Sequence, residues 1–464
     1  MTTSTEYNEP PVSNFIETYR GSVAAWECDQ YGHMNIQFYV GRISDAAASI
    51  MLAAGFGREA FEKHRLGSVA VNQNIDYVNE LHAGDLVRME SGMTLAEGRK
   101  IRFHHRLFNA ETGALCMKAD VLALCFDLER RKSVPLPDEI RTGFQKFIVR
   151  GDEPPEQVAV PTQTDGWAVT GRSPVQPWEC DRMGHLNVQF YLSRFAEAEK
   201  QLLLALGYGP KRRRADGVAV RPLRHRIQFK RENHEGAVIT LRSGVRAVAG
   251  DRIELYHELF DTETGSLSAT AEATIALDRL DDGGFLPLPA NVAAAAERLA
   301  AQFQGPPPLK PAGSPPAPAA PVEGMYESCR GSVDRWEAEE TGRMATRFYM
   351  ARFSEAAGNM LAGGDLSRER MAEEGIGSAA LDYTIDYLRP LRVGDAYYNR
   401  TGMLELRDKT WRFCHVLMDS YTHQPVARAE VVAVLFDLKA RKSITMPDFV
   451  RQAFARRLVT VPAA

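Results

Sequence analysis

The chain has 464 residues, 44% of them hydrophobic and 25% charged, with a formal net charge of -4. Such a composition excludes a largely disordered protein, and the slight acidic balance gives no global drive toward nucleic acid or an anionic membrane, both of which are bound through excess Lys and Arg. The length exceeds what one ordinary hydrophobic core organises, and at about 150 residues per domain it predicts three units.

In chain order, MTTSTEYNEPPVSNF lacks a basic segment followed by an apolar one, and no run of about 18 apolar residues follows anywhere, so a cytoplasmic protein is expected. A short strand over Gly21–Glu27 leads into the turn DQYGHMN, and FYVGRISDAAASIMLAAG reads as a helix stopped near Gly55. VAVNQNIDYV, DLVRMESGMTL, RKIRFHHRLFN and ALCMKADVLALCFD then read as four strands, the last two joined by a turn at Glu111-Thr112-Gly113. One helix followed by an antiparallel meander is an α+β pattern, and wrapping the sheet around the helix buries both.

The same order returns twice. WECDQYGHMNIQFY (residues 26–39) recurs as WECDRMGHLNVQFY (178–191) and, altered, as WEAEETGRMATRFY (336–349), at intervals of 152 and 158 residues. Intervals of this size mean tandem domains, because solenoid repeats are only about 20–50 residues long. The boundaries are 15–150, 167–303 and 325–460. Between the first two lies a short polar linker, 151–166. QGPPPLKPAGSPPAPAAPVEG (304–324) is a Pro/Ala-rich linker expected to be extended and packed against little.

Strand, D-x-x-G-H-x-N, an aromatic-Tyr pair opening a helix, then a bent antiparallel sheet: with these features the chain resembles the hotdog-fold acyl-CoA thioesterases of the 4-hydroxybenzoyl-CoA thioesterase family, three times over. The resemblance is strongest at Asp29–Asn35 and Asp181–Asn187. It implies hydrolysis of an acyl-CoA to free acid and CoA, without cofactor or metal. It also implies a site built between two paired domains.

The residues support that chemistry independently. Thioester hydrolysis needs a nucleophile or general base and donors for the carbonyl oxygen as it gains charge. Asp29 and Asp181, each just before a helix, supply the first, and backbone N–H groups near Gly32–Ile36 and Gly184–Val188 supply the second. Helix capping alone would also use an aspartate, but it would not ask for His and Asn at fixed offsets. Gly32, His33, Asn35 and Ile36, with Gly184, His185, Asn187 and Val188, are therefore expected to line the substrate site. The third copy, with Glu339, Arg343 and Ala345 in place of Asp, His and Asn, is degenerate.

Other repeated residues read as structural. Asp45, Glu197 and Glu355 lie 16 residues after the turn acid, and His105, His257 and His415 lie within strands; both sets survive in the degenerate copy. Cys28, Cys180 and Trp26, Trp178, Trp336 are expected in the core, and six cysteines without metal-ligand spacing predict free thiols. Lys211–Arg231 carries nine basic residues and one acid, Asp216, so Arg212, Arg213 and Arg214 are candidates for the CoA phosphates, with a solvated basic loop as the alternative.

Two rivals stand beside hydrolysis: another acyl-thioester reaction such as hydration, for which no His/Asp or His/Glu pair is visible in sequence, and a non-catalytic acyl-CoA-binding or assembly protein. Two intact motifs predict that repeats one and two pair with each other. The third is then left to make a homodimer across a twofold axis.

Overall fold

The computed structural model describes residues 14–149, 160–313, 316–362, 366 and 368–461. The chain divides into two compact units, one of Met1–Arg20, Ile36–Glu80 and Val87–Val158, the other of Gly21–Asn35, Leu81–Leu86 and Ala159–Ala464.

In the first unit the central helix is Ile36–Ala53, followed by a short helix, Arg58–His64. The strands Leu66–Tyr77, Leu86–Glu97, Lys100–Asn109 and Leu115–Asp127 lie where the alternating patterns place them. They pair antiparallel, Leu86–Glu97 beside Lys100–Asn109, then Leu115–Asp127, then Leu66–Tyr77. A closing helix, Asp138–Gln145, was not anticipated from the sequence.

The leading strand runs over Ile16–Ser22 and not over 21–27. Ala25–Glu27 is instead a 3-10 turn, because the Glu27 carboxylate accepts a hydrogen bond from the Ala24 N–H at 2.9 Å and folds the backbone back on itself.

The second unit holds repeats two and three. The central helix Val188–Ala205 begins at Asn187, whose side chain accepts from the Gln189 N–H, and is followed by Gly207 at a φ of +78°. It buries Tyr191, Leu192, Phe195, Ala198 and Leu202 along one stripe. Around it the strands run in the order Trp167–Pro174, Val238–Ala249, Arg252–Asp261, Leu267–Arg279, Val218–Phe229. Repeat three repeats this around the helix Thr346–Ala362, ending in the strand Ile376–Tyr387.

Repeats two and three join at one seam. Val218–Phe229 pairs antiparallel with Ile376–Tyr387, Arg226 opposite Thr384, His225 opposite Ile385 and Ile227 opposite Tyr383. One hydrophobic core runs through both repeats and includes Phe195 and Phe353, each with no exposed surface. Separating these repeats would expose that shared core and break the strand seam, so they are expected to form one folding unit.

This arrangement corrects the expected pairing. Repeat three spends its pairing edge on repeat two within the chain, so neither a repeat-one/repeat-two pair at this edge nor a homodimer through repeat three follows. The Pro/Ala-rich linker is also not loose. The Leu309 N–H donates to Glu272, Arg226 donates to the Lys310 carbonyl, the Ala317 N–H donates to Glu430 and Arg428 donates to the Ala317 carbonyl. Proline-rich chain makes few bonds of its own, so its backbone groups are open to the polar side chains of the sheet face. Among the described residues no helix is long and apolar enough to cross a membrane.

Candidate active site

The turn of repeat two is a small hairpin closed by the bridge between Cys180 and Leu186. Glu179, buried at its base, accepts from the Gln176 N–H at 3.0 Å and pairs with Arg194 at 2.7 Å. Its carbonyl receives the Asn187 N–H, which ties the hairpin to the helix start. Within the tip, Asp181 N–H donates to the His185 carbonyl and Gly184 N–H to the Asp181 carbonyl, and Gly184 sits at a φ of +77°, where a side chain would strain the backbone. The Asp181 carboxylate is exposed, and its Oδ1 accepts from Met183 N–H at 2.8 Å and His185 N–H at 3.1 Å.

Repeat one has the same turn: Asp29 Oδ1 accepts from Tyr31 N–H at 2.9 Å and His33 N–H at 3.2 Å, Gly32 lies at a φ of +83°, and Asn35 N–H donates to the Glu27 carbonyl. Ile36 opens the helix that follows and is exposed, whereas Val188 packs against the core.

In repeat three the backbone turn survives and its side-chain hydrogen bonds change. Glu339 N–H still donates to the Arg343 carbonyl, but the Glu339 carboxylate reaches Lys200 of the repeat-two helix at 3.2 Å, and Thr341 accepts the Arg343 N–H instead. Burial pushes the Glu339 carboxyl up against the pull of Lys200. Lys200 is held above the usual lysine range, since Glu339 and Glu340 outweigh its own burial.

Two charge networks cross the seam. His185, buried, lies 3.2 Å from a nitrogen of Arg441 and 3.3 Å from Glu232, while Arg441 also binds Glu232. On the other side Arg343, in the position of His185, makes two bonds to Asp278 at 2.8 and 2.9 Å and one to the Arg279 carbonyl. His185, Glu232 and His234 offer ligand atoms within 4.8 Å of one another, but the Arg441 guanidinium already lies on two of them, which makes the group a charge network as it stands.

Several expectations shift here. Trp26, Trp178 and Trp336 are 39%, 68% and 52% exposed and not core: the 3-10 turn that each occupies is held by its glutamate and leaves the indole outward. Arg213 is buried on the Tyr208 carbonyl and Arg214 is paired with Asp85 at 2.6 Å, so these two serve the fold. Arg212 is half exposed, lies over Tyr208, donates to the Gly207 carbonyl and stands 3.9 Å from Asp216.

All six cysteines are free thiols as expected, but Cys28 and Cys180 are only partly buried and not in the core, because they sit at the base of the exposed turn hairpins. Cys28 and Cys180 donate to the carbonyls of Ala24 and Gln176, and burial pushes both thiols up, Cys28 to about 11, so neither is a ready nucleophile. Asp45 and Glu355 lie beside Arg42 and Arg352 on their own helices.

Two features escaped sequence reading. One is the glutamate of two Trp-Glu pairs with an arginine 15 residues on, Glu179 with Arg194 and Glu337 with Arg352; the fixed spacing was its signal. The other is a buried His/Glu pair, His225 Nε2 to Glu199 Oε1 at 2.5 Å, which occurs in repeat two alone and so left no repeat signature.

A family profile described as the thioesterase-like superfamily matches residues 23–144, 175–296 and 333–454. The chain belongs to that superfamily. Its three hotdog repeats make it a thioester hydrolase by family. It is 30% identical over 131 residues to a betainyl-CoA thioesterase of Pseudomonas aeruginosa, covering 28% of this chain and 82% of that protein. Among solved structures it is similar to an acyl-ACP thioesterase from Bacteroides thetaiotaomicron, with 12% identity, a TM-score of 0.45 and coverage of 58% of this chain and 98% of the other. A 12:0-ACP thioesterase from Umbellularia californica shows 11% identity, a TM-score of 0.42 and coverage of 57% and 93%.

Proposed function

We propose that this chain hydrolyses an acyl-CoA thioester to a free acid and CoA at the turns of repeats one and two, with Asp29 and Asp181 as the catalytic carboxylates. The observation that carries this is the division of labour within each aspartate: Oδ1 is held by two turn N–H groups, which fixes the carboxylate beside a helix N-terminus and leaves Oδ2 to act. Asp181 is open to solvent, which favours the general-base route. The carboxylate takes a proton from water as the hydroxyl oxygen bonds to the acyl carbon. The C–S bond then breaks, and the proton passes to the departing CoA sulfur. The N–H groups opening each helix receive the carbonyl oxygen as it becomes an oxyanion. The sequence relative named for a CoA ester supports CoA as the carrier, and half-exposed Arg212 supports a contact with its phosphates.

Thiol release from betainyl-, short, long and aromatic acyl-CoAs tests the activity, and single turnover in ¹⁸O-water tests the route: label enters the acid directly under general-base catalysis, whereas a covalent anhydride delivers an unlabelled carboxylate oxygen first. Asn accepts the same two turn hydrogen bonds as Asp but is no base. Asp29→Asn with Asp181→Asn should therefore stay folded and lose about 10²–10⁴-fold in turnover. Undiminished hydrolysis by the folded double variant would sink the assignment.

A further inference from the structure

The seam between repeats two and three pairs equivalent positions, Arg226 opposite Thr384, so each corner of the pair occurs twice. At one corner His185, Glu232 and Arg441 close on one another. At the other, Pro390 stands in the place of Glu232 and Gly283 in the place of Arg441. Both members of the ion pair are gone, and a cleft of about 280 Å³ lies there, lined from both repeats.

Gly283 keeps the cleft open. It lies at a φ of +69°, but Arg131 and Arg441 occupy the matching hairpin position at +54° and +55°, so this backbone accepts a side chain. A Cβ on Gly283 would come 4.0 Å from Arg343 and Asp278. Arg441 shows where a longer chain would go, onto the residues that match Arg343 and Pro390.

The lining is cationic. Arg221 takes the place of Ala379, Arg392 that of His234, and Arg389 matches Arg231. Arg221 is held by the Leu388 carbonyl at 2.9 Å and the Gly283 carbonyl at 3.3 Å, and Asp278, 3.6 Å away, is already bound twice by Arg343. Nη2 of Arg389 is shut from solvent and has no hydrogen-bond partner. Arg392 is exposed, its backbone N–H donates to Asp395, and among the described residues its guanidinium has no partner. The two acids of the rim are engaged elsewhere: Asp282 by Arg279 and the Gly284 N–H, Asp419 by the N–H groups of Tyr421 and Thr422. A buried donor left without an acceptor is costly, and three guanidiniums on one cleft are suited to an oxyanion held by charge-assisted hydrogen bonds.

We infer that this cleft binds a small dianion, a phosphate monoester or a dicarboxylate, which ties Arg221 of repeat two to Arg389 and Arg392 of repeat three. At about 280 Å³ it lies at the small end of ligand pockets, with room for such an anion and not for a whole coenzyme. The turn of repeat three offers it no free carboxylate, since Glu339 is bound to Lys200. The inference stands independently of the proposed hydrolysis.

Calorimetric titration of the full chain with inorganic phosphate and with succinate, at constant ionic strength, tests the site. One of the two should bind saturably, once per chain, with a Kd of about 1 mM or lower, and should raise the melting temperature of the repeat-two/repeat-three pair. Which anion binds tells phosphate from carboxylate. Arg389→Gln and Arg392→Gln, the latter at an exposed position, should each weaken binding at least about tenfold. Gly283→Arg, which restores the residue of the other two hairpins, should fold and bind neither anion. No saturable heat from either anion, or parent affinity in all three variants, would overturn the site. Binding of 3′,5′-ADP alone would also overturn it, because the cleft would then seat the nucleotide of an acyl-CoA. The Asp29→Asn, Asp181→Asn double variant should bind the anion as the parent does. A parent that binds the anion and hydrolyses no acyl-CoA would overturn the functional reading and leave this site standing.

Discussion

One methylene separates Asp181 from Glu339, and it takes the carboxylate off the turn and onto Lys200. The equivalent helix position in repeat three is Gly358, so the pseudosymmetric partner of that lysine is absent opposite Asp181. The two turns of the pair thereby differ, one carboxylate held on its own turn and the other spent on an ion pair. Since both partners lie largely out of water, Lys200→Met should cost about 2 kcal/mol in urea denaturation, chiefly from leaving Glu339 uncompensated. A double variant that also carries Glu339→Gln should recover most of the loss. An unchanged midpoint for Lys200→Met would show that the pair is too solvated to matter.

Each sheet contains the same buried chain of hydrogen bonds: Thr18 to Ser91 to His105, Thr170 to Ser243 to His257, and Ser328 to Thr401 to His415, every His link being 2.7 Å. Burial holds these imidazoles neutral, down to about 3 for His105 and His415 and about 4 for His257. Their presence in the degenerate repeat agrees with the structural reading, and the chain explains why a histidine and not a leucine stands there: it satisfies a hydroxyl that links the first strand to its neighbour. Because the folded pKa values lie below the ordinary 6.5, the unfolded chain takes up protons first. Stability contributed by neutrality is therefore complete above pH 6.5 and declines as pH falls toward 3 to 4. At pH 5 the loss should be about 2 kcal/mol per histidine, read as a lower urea midpoint than at pH 7.5. A midpoint flat between those values would refute the assignment. The linker belongs to the same scale: replacing 305–313 by Gly and Ser should lower the stability of the repeat-two/repeat-three pair, since the Leu309 and Lys310 backbone bonds to Glu272 and Arg226 depend on a chain that lies still.

At the scale of the whole molecule, repeats two and three share one core and should unfold in one calorimetric transition. A chain ending at Gln304 would strip the partner from Phe195, His225 and Ile227 and expose an apolar face and a bare strand edge. It should aggregate or self-associate and lose the hydrolysis assigned to Asp181. A monomeric fragment with full Asp181-dependent turnover would show that repeat three is dispensable.

Local chemistry was legible in the sequence wherever it repeats. Three copies of a strand-turn-helix pattern, four alternating strands, and a D-x-x-G-H-x-N turn in two copies determined the hotdog repeats and the candidate aspartates, because strand periodicity and tight-turn geometry depend on neighbours a few residues apart. Which repeat pairs with which was not legible. The choice is made by residues that meet only across the seam: Arg441 at His185, Asp278 at Arg343, Lys200 at Glu339. These contacts span up to 256 residues of chain. They follow no period, and tertiary structure alone brings them within hydrogen-bonding distance.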